Sequence, residues 1–531
     1  MKKTIIIWAI TLVIAGLMIT SAVSIPVENN DTQPSVTIQK LDNQPQALQM
    51  AITGQAQLQT TPQPLDTYGA IELEGDQVHP AFGRTLGGKH MVAYRDQSEE
   101  NIIWTYSADD GETYDVGVFY DIGGDYPSIK LWGGERFFGT FVTDFFDLDG
   151  APTYLFEVAN PADYGTYELT FWDWSSFGWY GMEAADIACD NSQNQWEWGI
   201  SSYVTSTTYG DGYQNGPTIV YADPDEIGQG WIGWYYGFDG CATTSADIDP
   251  ITKYAYIAYD WLNETTWKLI VRVKDFDDVR EGFDSMYLIE GDGNLQYPSV
   301  AANNDNVVIL AQTDANGQSD IICYYSNDKL STLETSIVAD SLDDDVFPEV
   351  RHAEDNTFVA TFVSNEVLYK TISEDGGMTW SEPEALDDVV EEYKTAAITD
   401  FAAQALYQKQ AGDDIDLWLV DPLYEISTPV LEITSISGGV GVSATVENTG
   451  IATANDVIFD IKVSGGLLGL VSKQVQAPFA TLDVGASETL ETGMFFGIGP
   501  ITIDVKASAS NAGEVTEQKS GFLLGFFVLG L

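Results

Sequence analysis

The chain has 531 residues with 12% aromatic side chains, 49 glycines and a formal net charge of −59. This length exceeds one ordinary domain, so two folded domains with flexible ends are expected. So acidic a surface repels nucleic acid, anionic lipid and polyanionic glycans, which excludes them as expected partners.

The N-terminus predicts export. Two lysines precede an apolar run over residues 4–18, and small residues follow up to Ser24. We expect a signal peptide over 1–24, with an uncleaved membrane anchor as the alternative and as the only membrane contact. The protein is therefore expected to be secreted or displayed at the cell surface. Residues 25–66, rich in Gln, Pro and Thr, predict a disordered linker or propeptide.

From about residue 68 the chain repeats with a spacing near fifty residues, a period typical of β-propellers. Strand starts that contain a proline mark four repeats, at His79-Pro80, Tyr126-Pro127, Tyr297-Pro298 and Phe347-Pro348. Degenerate starts near 184, 245 and 395 suggest seven units over 67–426, with six as the alternative because 160–245 is irregular. The last unit lacks a strand, which residues 70–76 are expected to supply, closing the ring.

Two turn motifs indicate the class of propeller. Residues Ser373 to Trp380 match the pattern Ser-x-Asp-x-Gly-x-Thr-Trp, and Ser107 to Tyr114 form a weaker copy that ends in Tyr. In such a turn the Asp accepts backbone hydrogen bonds and the Gly provides a positive φ. The motifs resemble the Asp-box (BNR) repeats of sialidase-like β-propellers, where they lie on the face away from the active site.

After residue 426 the composition changes to small apolar strands that alternate with period two, as in 441–450 and 457–463. This region, 427–531, resembles the CARDB-type immunoglobulin-like modules of archaeal and bacterial surface proteins. The expected fold class is therefore all-β: a seven-bladed, alternatively six-bladed, β-propeller followed by a C-terminal Ig-like β-sandwich.

The propeller resemblance implies that the first strand of each blade lines the central channel and that the neighbouring loops form the working face. Candidate catalytic residues on this basis are Glu349, Arg351, Arg95 and Asp96. Candidate binding residues are His79, Tyr126 and Tyr297 on the rim, and Trp196, Trp198 and Trp234 in the aromatic-rich irregular third. Other residues expected in the channel are Lys130, Asp186, Asp247 and Asp400. Aromatic rings suit sugar stacking, but packing between blades also uses them.

A sialidase would need three arginines that converge on the sugar carboxylate, a Tyr nucleophile supported by Glu, and an Asp acid/base. The chain has six arginines, and only Arg95 and Arg351 are placed to face the site. We therefore expect a binding or adhesion protein that recognises an extracellular glycan or a surface protein. A sialidase-like glycoside hydrolase is the alternative, and a purely structural envelope role is the third hypothesis, favoured if side chains plug the channel.

One loop predicts a metal site. Asp314, Asn316 and Asp320 have the density of oxygen ligands seen in calcium loops, although Asn316-Gly317 is also a hairpin-turn signal by itself. No cofactor is expected to be required, and a structural Ca2+ here is the metal prediction.

Overall fold

The computed structural model describes residues 66–530 with gaps at 74, 86–87, 99, 108–109, 112, 133–135, 143–152, 159–166, 173–178, 190–198, 208–213, 223–231, 236–239, 276–284, 425–428 and 449–451. The predicted signal peptide, nearly all of the predicted linker, and Trp196 and Trp198 lie outside the described residues. Within them the regular structure is β-strand apart from two short 3-10 turns, Asp400–Ala402 and Leu467–Gly469. No helix in this part of the chain is long and apolar enough to cross a membrane. The predicted all-β fold class is confirmed.

The strands of the N-terminal part are β1 (Asp66–Ile71), β2 (Gln77–Arg84), β3 (His90–Asp96), β4 (Asn101–Ser107), β5 (Asp115–Gly123), β6 (Asp125–Trp132), β7 (Arg136–Val142), β8 (Thr153–Val158), β9 (Tyr167–Trp172), β10 (Trp179–Cys189), β11 (Gly199–Thr207), β12 (Gln214–Ala222), β13 (Ile232–Tyr235), β14 (Cys241–Ile248), β15 (Tyr254–Asn263), β16 (Thr266–Asp275), β17 (Ser285–Ile289), β18 (Leu295–Asn303), β19 (Asn306–Thr313), β20 (Asp320–Ser326), β21 (Glu334–Ala339), β22 (Asp345–His352), β23 (Phe358–Ser364), β24 (Val367–Ser373), β25 (Glu384–Asp388), β26 (Ala396–Ile398), β27 (Ala405–Ala411) and β28 (Asp414–Asp421).

In the described ranges these strands form seven four-stranded antiparallel sheets, here called blades 1 to 7. Blades 1 to 6 are β2–β5, β6–β9, β10–β13, β14–β17, β18–β21 and β22–β25, and blade 7 is β26–β28 completed by β1. The first strands contact one another in cyclic order, from β2 through β6, β10, β14, β18, β22 and β26 back to β2. This closed ring is the arrangement of a β-propeller, and it leaves the two ends of the array without an exposed sheet edge.

The strand that closes the ring lies slightly earlier than expected. It is β1, which pairs with β28 from Asp66 opposite Asp421 onward, and not residues 70–76. Ile71 is the last buried residue of this strand, whereas Leu73 is exposed and Gly75 turns the chain into β2 with φ +98°. An N-terminal strand therefore closes the ring as predicted, but the predicted segment starts four residues too late and overlaps β1 only at residues 70 and 71, because the hydrophobic pattern continues past the point where the backbone leaves the sheet.

Blade 6 is apolar on both faces because it packs between blades 5 and 7. In β23 every residue is buried. Phe358, Ala360 and Phe362 pack against blade 5, whereas Val359 and Val363 pack against blade 7. The period-two alternation of a strand here divides its side chains between two neighbouring sheets, which explains the near-continuous hydrophobic runs in the sequence.

The Ser373–Trp380 turn between β24 and β25 has the hydrogen bonds that its sequence predicts. The Asp375 carboxylate accepts from the Thr379 backbone N–H at 2.8 Å and from the Thr379 hydroxyl at 2.6 Å. The Ser373 hydroxyl accepts from the Gly377 N–H at 2.8 Å, and the Trp380 indole donates to Ser336 Oγ at 3.2 Å. In the weaker copy, Ser107 accepts from the Gly111 N–H in the same way, at 2.9 Å.

A third turn of this kind, between β20 and β21, was missed in the sequence. Ser326 accepts from the Leu330 N–H at 2.9 Å, and Asp328 accepts from the N–H and hydroxyl of Thr332 at 2.7 and 2.9 Å. Leu330 takes the position that Gly holds in the motif, and it adopts φ +65°. The turn therefore forms although its sequence no longer matches the motif.

The C-terminal part consists of β29 (Leu431–Gly439), β30 (Gly441–Asn448), β31 (Ala454–Gly465), β32 (Val471–Leu482), β33 (Ser487–Glu491), β34 (Gly497–Ala509), β35 (Ala512–Gly525) and β36 (Phe527–Leu529). They form a three-stranded sheet, β29-β30-β33, and a five-stranded sheet, β32-β31-β34-β35-β36. One core joins the inner faces of both sheets, with Ile433 and Val446 from the first and Phe459, Ile503 and Leu523 from the second. Two sheets with a shared core make a β-sandwich, and its Ig-like affiliation stays a prediction.

The conformation of the Ser373–Trp380 turn generates a stability prediction. A Cβ at Gly377, where φ is +95°, would lie 2.9 Å from Tyr325 Cβ and 3.0 Å from Val308 Cγ2. Gly317 has a similar φ of +91° with no atom within 4 Å, which makes it a matched control. Gly317→Ala is expected to destabilise the protein by ~1 kcal/mol through backbone strain alone. Gly377→Ala should cost a further ~1–3 kcal/mol through overpacking. Thermal unfolding of both variants checks the order, and equal melting temperatures would contradict it.

Candidate functional site

Among the described residues, five aromatic rings meet at one mouth of the central channel, and we call this group the aromatic cup. His79 stacks on Tyr126 with ring centroids 4.9 Å apart and planes within 12°. Tyr393, from the loop between β25 and β26, lies 6.3 Å from Tyr126, 5.4 Å from Tyr297 and 6.4 Å from Phe347. Each of the five rings is half-buried, so their remaining surface faces solvent. The structure thus brings together the sequence-predicted His79, Tyr126 and Tyr297.

The strand starts explain how four of these rings reach the mouth. His79, Tyr126, Tyr297 and Phe347 each precede a proline and adopt φ between +49° and +53°. The pairing with the second strand of each blade shifts register at this point. Positive φ is uncommon for bulky residues and a bulge re-aims a side chain, so the same local distortion in four blades points to a shared role for these rings.

Sequence reasoning missed Tyr393, which contacts three of the other four rings. The start of blade 7 has no aromatic-proline pair. The Ile398 N–H donates to Glu349 in the same way as the Val350 N–H donates to Ser299, so Ile398 and Val350 are equivalent positions. The aromatic residue Phe347 lies three residues before Val350. The equivalent position in blade 7 is therefore Thr395. Because Tyr393 lies outside the repeating register, no comparison of strand starts would have found it.

A polar group borders the cup at His79. The Asp125 carboxylate binds His79 Nδ1 at 2.5 Å, Arg95 Nη1 at 2.6 Å and the Tyr126 backbone N–H at 2.7 Å. Burial raises the pKa of Asp125, but the hydrogen bonds from His79 and Tyr126 and the charge of Arg95 outweigh it and hold the pKa below its usual value. Asp125 is therefore a carboxylate that orients both His79 and Arg95. Asp96 does not join this group, because its carboxylate accepts from the N–H and hydroxyl of Ser98.

Below the cup the channel contains a group of charged side chains, which we call the channel charge cluster. It comprises Lys130, Arg351, Lys394, Asp186, Asp247, Glu349 and Asp400. Arg351 Nη2 lies 2.9 Å from Glu349 Oε1. Burial raises the pKa of Asp247 to about 6 and also raises the pKa of Asp400. Four carboxyl groups face three cations, so uptake of one proton by Asp247 or Asp400 would bring the cluster to neutrality.

Several channel side chains hold neighbouring blades together. Asp186 of blade 3 accepts from the Ser128 hydroxyl of blade 2 at 2.6 Å and from the Ala246 N–H of blade 4 at 2.9 Å. The same kind of contact, from a backbone N–H to a side chain of the preceding blade, recurs at four other places. The pairs are Ile187 to Ser128 at 3.2 Å, Val300 to Ser245 at 3.1 Å, Val350 to Ser299 at 3.0 Å and Ile398 to Glu349 at 3.3 Å. These N–H groups lie on the channel edge of each sheet, where no further strand can pair with them.

The space between cup and cluster is small. A cavity of about 30 Å3 lies among Asp186, Glu349, Arg351, Tyr393 and Lys394, together with residues of blades 4 to 7. This volume holds one or two water molecules and is far too small for a sugar ring. In this conformation a ligand of that size does not fit into this cavity.

The described arginines do not form a triad. Arg84 pairs with Asp110 at the far end of β2, and Arg272 is buried beside the Tyr259 hydroxyl. Arg136 begins β7 opposite Trp132, also away from the cup, and Arg280 lies outside the described residues. Arg95 and Arg351 are the two on the cup side, and each already has a carboxylate partner.

Two further groups of predicted residues lie elsewhere. Trp234 belongs to β13, the outermost strand of blade 3, opposite Ile219. Asp314 accepts two hydrogen bonds from Asn294, and Asn316 donates to Asp320 at 3.0 Å. In the described part of the chain no three carboxylate, imidazole or thiol side chains lie close enough together to hold a metal ion. Calcium at this loop stays a prediction from sequence.

No family model matches the chain, and no curated protein matches it. Among solved structures it is similar to prolyl oligopeptidase B from Galerina marginata, at 13% identity and a TM-score of 0.40 over 70% of this chain and 56% of that one. It is also similar to the Hadza microbial sialidase Hz136, at 10% identity and a TM-score of 0.37 over 63% and 73% of the two chains. A Dyadobacter fermentans protein of unknown function matches at 10% identity and a TM-score of 0.40, over 66% and 96%. The chain thus spans little more than half of the oligopeptidase, and at these TM-scores the likenesses carry no argument about activity.

The channel charge cluster generates a pH prediction. Since burial raises the pKa of Asp247 to about 6, the folded state holds a proton between about pH 4 and pH 6 that the unfolded state has released. The contribution of Asp247 to stability is therefore greatest at the acid end and falls as the pH rises through 6, by up to ~3 kcal/mol. Asp247 accepts a hydrogen bond from the Ala302 N–H at 2.8 Å. Asp247→Asn removes the titratable group and keeps a side-chain oxygen that can accept this hydrogen bond.

Thermal unfolding across this range checks the prediction. Near pH 4.5 the melting temperature of the variant should be close to that of wild type. As the pH rises towards about 7.5, the melting temperature of the variant should increasingly exceed that of wild type. A difference in melting temperature between the two proteins that stays the same at every pH would contradict the raised pKa of Asp247.

Proposed function

We propose that the propeller is the recognition module of an exported protein and that it binds an uncharged extracellular glycan on the aromatic cup. The observation that carries the proposal is the convergence of five half-buried rings from four blades and the blade 7 loop at one channel mouth. Apolar ring faces bury the C–H surface of a sugar, and a few fixed polar groups beside them orient its hydroxyls. Export rests on the predicted N-terminal signal.

The polar groups beside the cup support the choice of a neutral ligand. Arg95 is 29% exposed and Asp125 is 19% exposed, so both can reach hydroxyl groups while they remain paired with each other. Because each charge is already compensated, the pair offers hydrogen bonds without a free charge that would select an anion. The net charge of −59 also disfavours polyanionic glycans. A protein partner with an exposed apolar side chain is the alternative ligand.

A glycoside hydrolase is the second candidate. The observation that favours it is that Tyr393, Glu349 and Asp186 line the same cavity. Burial and the negative charges of Asp186 and Asp260 raise the pKa of Tyr393 well above its ordinary value, which opposes the phenolate that a Tyr nucleophile requires. Glu349 and Asp186 also accept hydrogen bonds from the next blade, so both have structural roles that do not depend on catalysis.

The recognition proposal predicts specific losses of binding. Tyr126→Ala and Tyr393→Ala should each weaken binding of neutral oligosaccharides about tenfold or more, since a ring is lost from the contact surface. Tyr393→Phe, which keeps the ring, should bind nearly as wild type. Tyr287→Ala, on the outer strand of blade 4, is the control. A glycan array followed by calorimetry on the best ligand provides the measurement, and equal affinity of the cup variants and the control would contradict the proposal.

The chain is further expected not to hydrolyse a panel of fluorogenic glycosides that includes sialosides, with calcium present or chelated. Turnover that Glu349→Gln abolishes, in a variant that melts like wild type, would overturn the recognition proposal in favour of the hydrolase.

A further inference from the structure

One end of the C-terminal β-sandwich is apolar and uncharged. Four segments form this end, which we call the apolar tip: residues 437–442, 464–470, 492–499 and 520–529. None of these residues is charged, in a chain where 19% of residues are charged. The four segments are separate in the sequence, and their positions in the structure explain why all of them lack charged residues.

Hydrogen bonds and strand pairing bring the four segments together. The Gly466 N–H donates to the Pro500 carbonyl at 2.6 Å, and the Gly441 N–H donates to the Phe526 carbonyl at 3.3 Å. Across the five-stranded sheet Ile498 lies opposite Leu524, which in turn lies opposite Phe527. The segments therefore form one continuous surface at the end of the sandwich.

The side chains of this surface point outward. Along β35 and β36, Leu523 and Val528 are buried in the core, whereas Phe522, Leu524, Phe527 and Leu529 on the opposite face are exposed. The neighbouring turns protrude further, since Leu470 is 81% exposed and Phe496 is 82% exposed. Side chains exposed to this degree on turns form a convex surface, not a groove. Large apolar patches on soluble domains mark sites of interaction with proteins or membranes.

We propose that the apolar tip inserts into the surface of an electrically neutral lipid bilayer. Protein interfaces combine an apolar centre with a polar rim and about one hydrogen bond per 100–200 Å². The tip has few side chains able to form such bonds, and one of them, Thr492, already has acceptors for its single O–H in the Gly493 and Val442 carbonyls, at 3.1 and 3.3 Å. Hydrocarbon needs no such bonds, and the protruding Phe and Leu side chains come from segments that contain no charged residue, so they can enter it without desolvating an ion of their own segment.

The charge distribution decides which lipid surface fits. Proteins that bind anionic headgroups carry Lys or Arg beside the inserted residues, and these segments have neither. The net charge of −59 would also repel such a membrane. Binding would therefore depend on burial of apolar area alone. This proposal does not depend on which ligand the propeller binds.

A fluorescent label at the tip of the full-length chain tests this proposal. The three native cysteines are buried, so Phe496→Cys introduces one accessible thiol for an environment-sensitive NBD label. Leu342→Cys, at a site 76% exposed in the propeller, is the matched control. With phosphatidylcholine vesicles, the label at 496 should show a blue shift and a severalfold rise in emission, whereas the label at 342 should not. Adding Leu470→Ser and Met494→Ser to the labelled Phe496→Cys chain should reduce the effect.

The label reports on the tip itself, so attachment through the N-terminal apolar segment does not imitate the result. No shift at 496 in a chain that co-sediments with the vesicles would overturn the proposal. The same shift at both labels would overturn it as non-specific adsorption. A shift at 496 that needs no lipid and grows with protein concentration would overturn it in favour of association between copies of the chain. Unchanged melting temperatures verify that the labelled variants are folded.

Discussion

The propeller depends on how the channel edges of its blades are satisfied. The first strand of each blade has backbone N–H groups that no further strand can pair with, and an unpaired buried N–H costs about 1–3 kcal/mol. Side chains of the preceding blade accept these hydrogen bonds, as Asp186 does for Ala246 and Ser299 does for Val350. The polar composition of the channel follows from this requirement. Carboxylates in this channel are therefore poor evidence for catalysis, because the fold needs acceptors there.

The same constraint explains the chemistry of the two channel regions. Carboxylates that accept backbone hydrogen bonds are buried, and buried charges need compensating cations, which Lys130, Arg351 and Lys394 supply. Among the described residues, side chains of this network line a cavity of about 30 Å3, which holds one or two water molecules. The aromatic cup lies at the mouth, where bulges at the four prolines hold His79, Tyr126, Tyr297 and Phe347 at positive φ. Strain of this kind persists only where the surrounding structure enforces it, and it concentrates at functional sites.

Sequence reasoning succeeded where one residue type has one physical consequence. The aromatic-proline pairs located His79, Tyr126, Tyr297 and Phe347 because a proline within a strand is confined to an edge or a bulge, and these four prolines lie at bulges of the channel-edge strands. It failed where tertiary structure replaced the expected residue. Leu330 adopts the positive φ that the motif assigns to Gly, so the turn at Ser326 was invisible. Tyr393 reaches the cup from a loop outside the repeating register. Trp234 lies on the outer strand β13, and its position was missed because a cluster of aromatic residues in the sequence does not distinguish inner from outer strands.

The aromatic cup and the apolar tip differ from the rest of this acidic chain in their local charge. The acidic surface repels other acidic molecules at distances up to the Debye length, which is about 8 Å at physiological ionic strength and shorter in concentrated salt. Contact is then possible chiefly where the surface is neutral. At the cup the local charges are compensated in pairs, and at the apolar tip they are absent. Repulsion elsewhere on the surface disfavours wrong partners, so that specificity arises from exclusion as well as from the attraction of the rings and of the tip. Under the two proposals above, a chain with a net charge of −59 has a neutral partner at each of these surfaces, and repulsion by the rest of the chain adds to the specificity of both contacts.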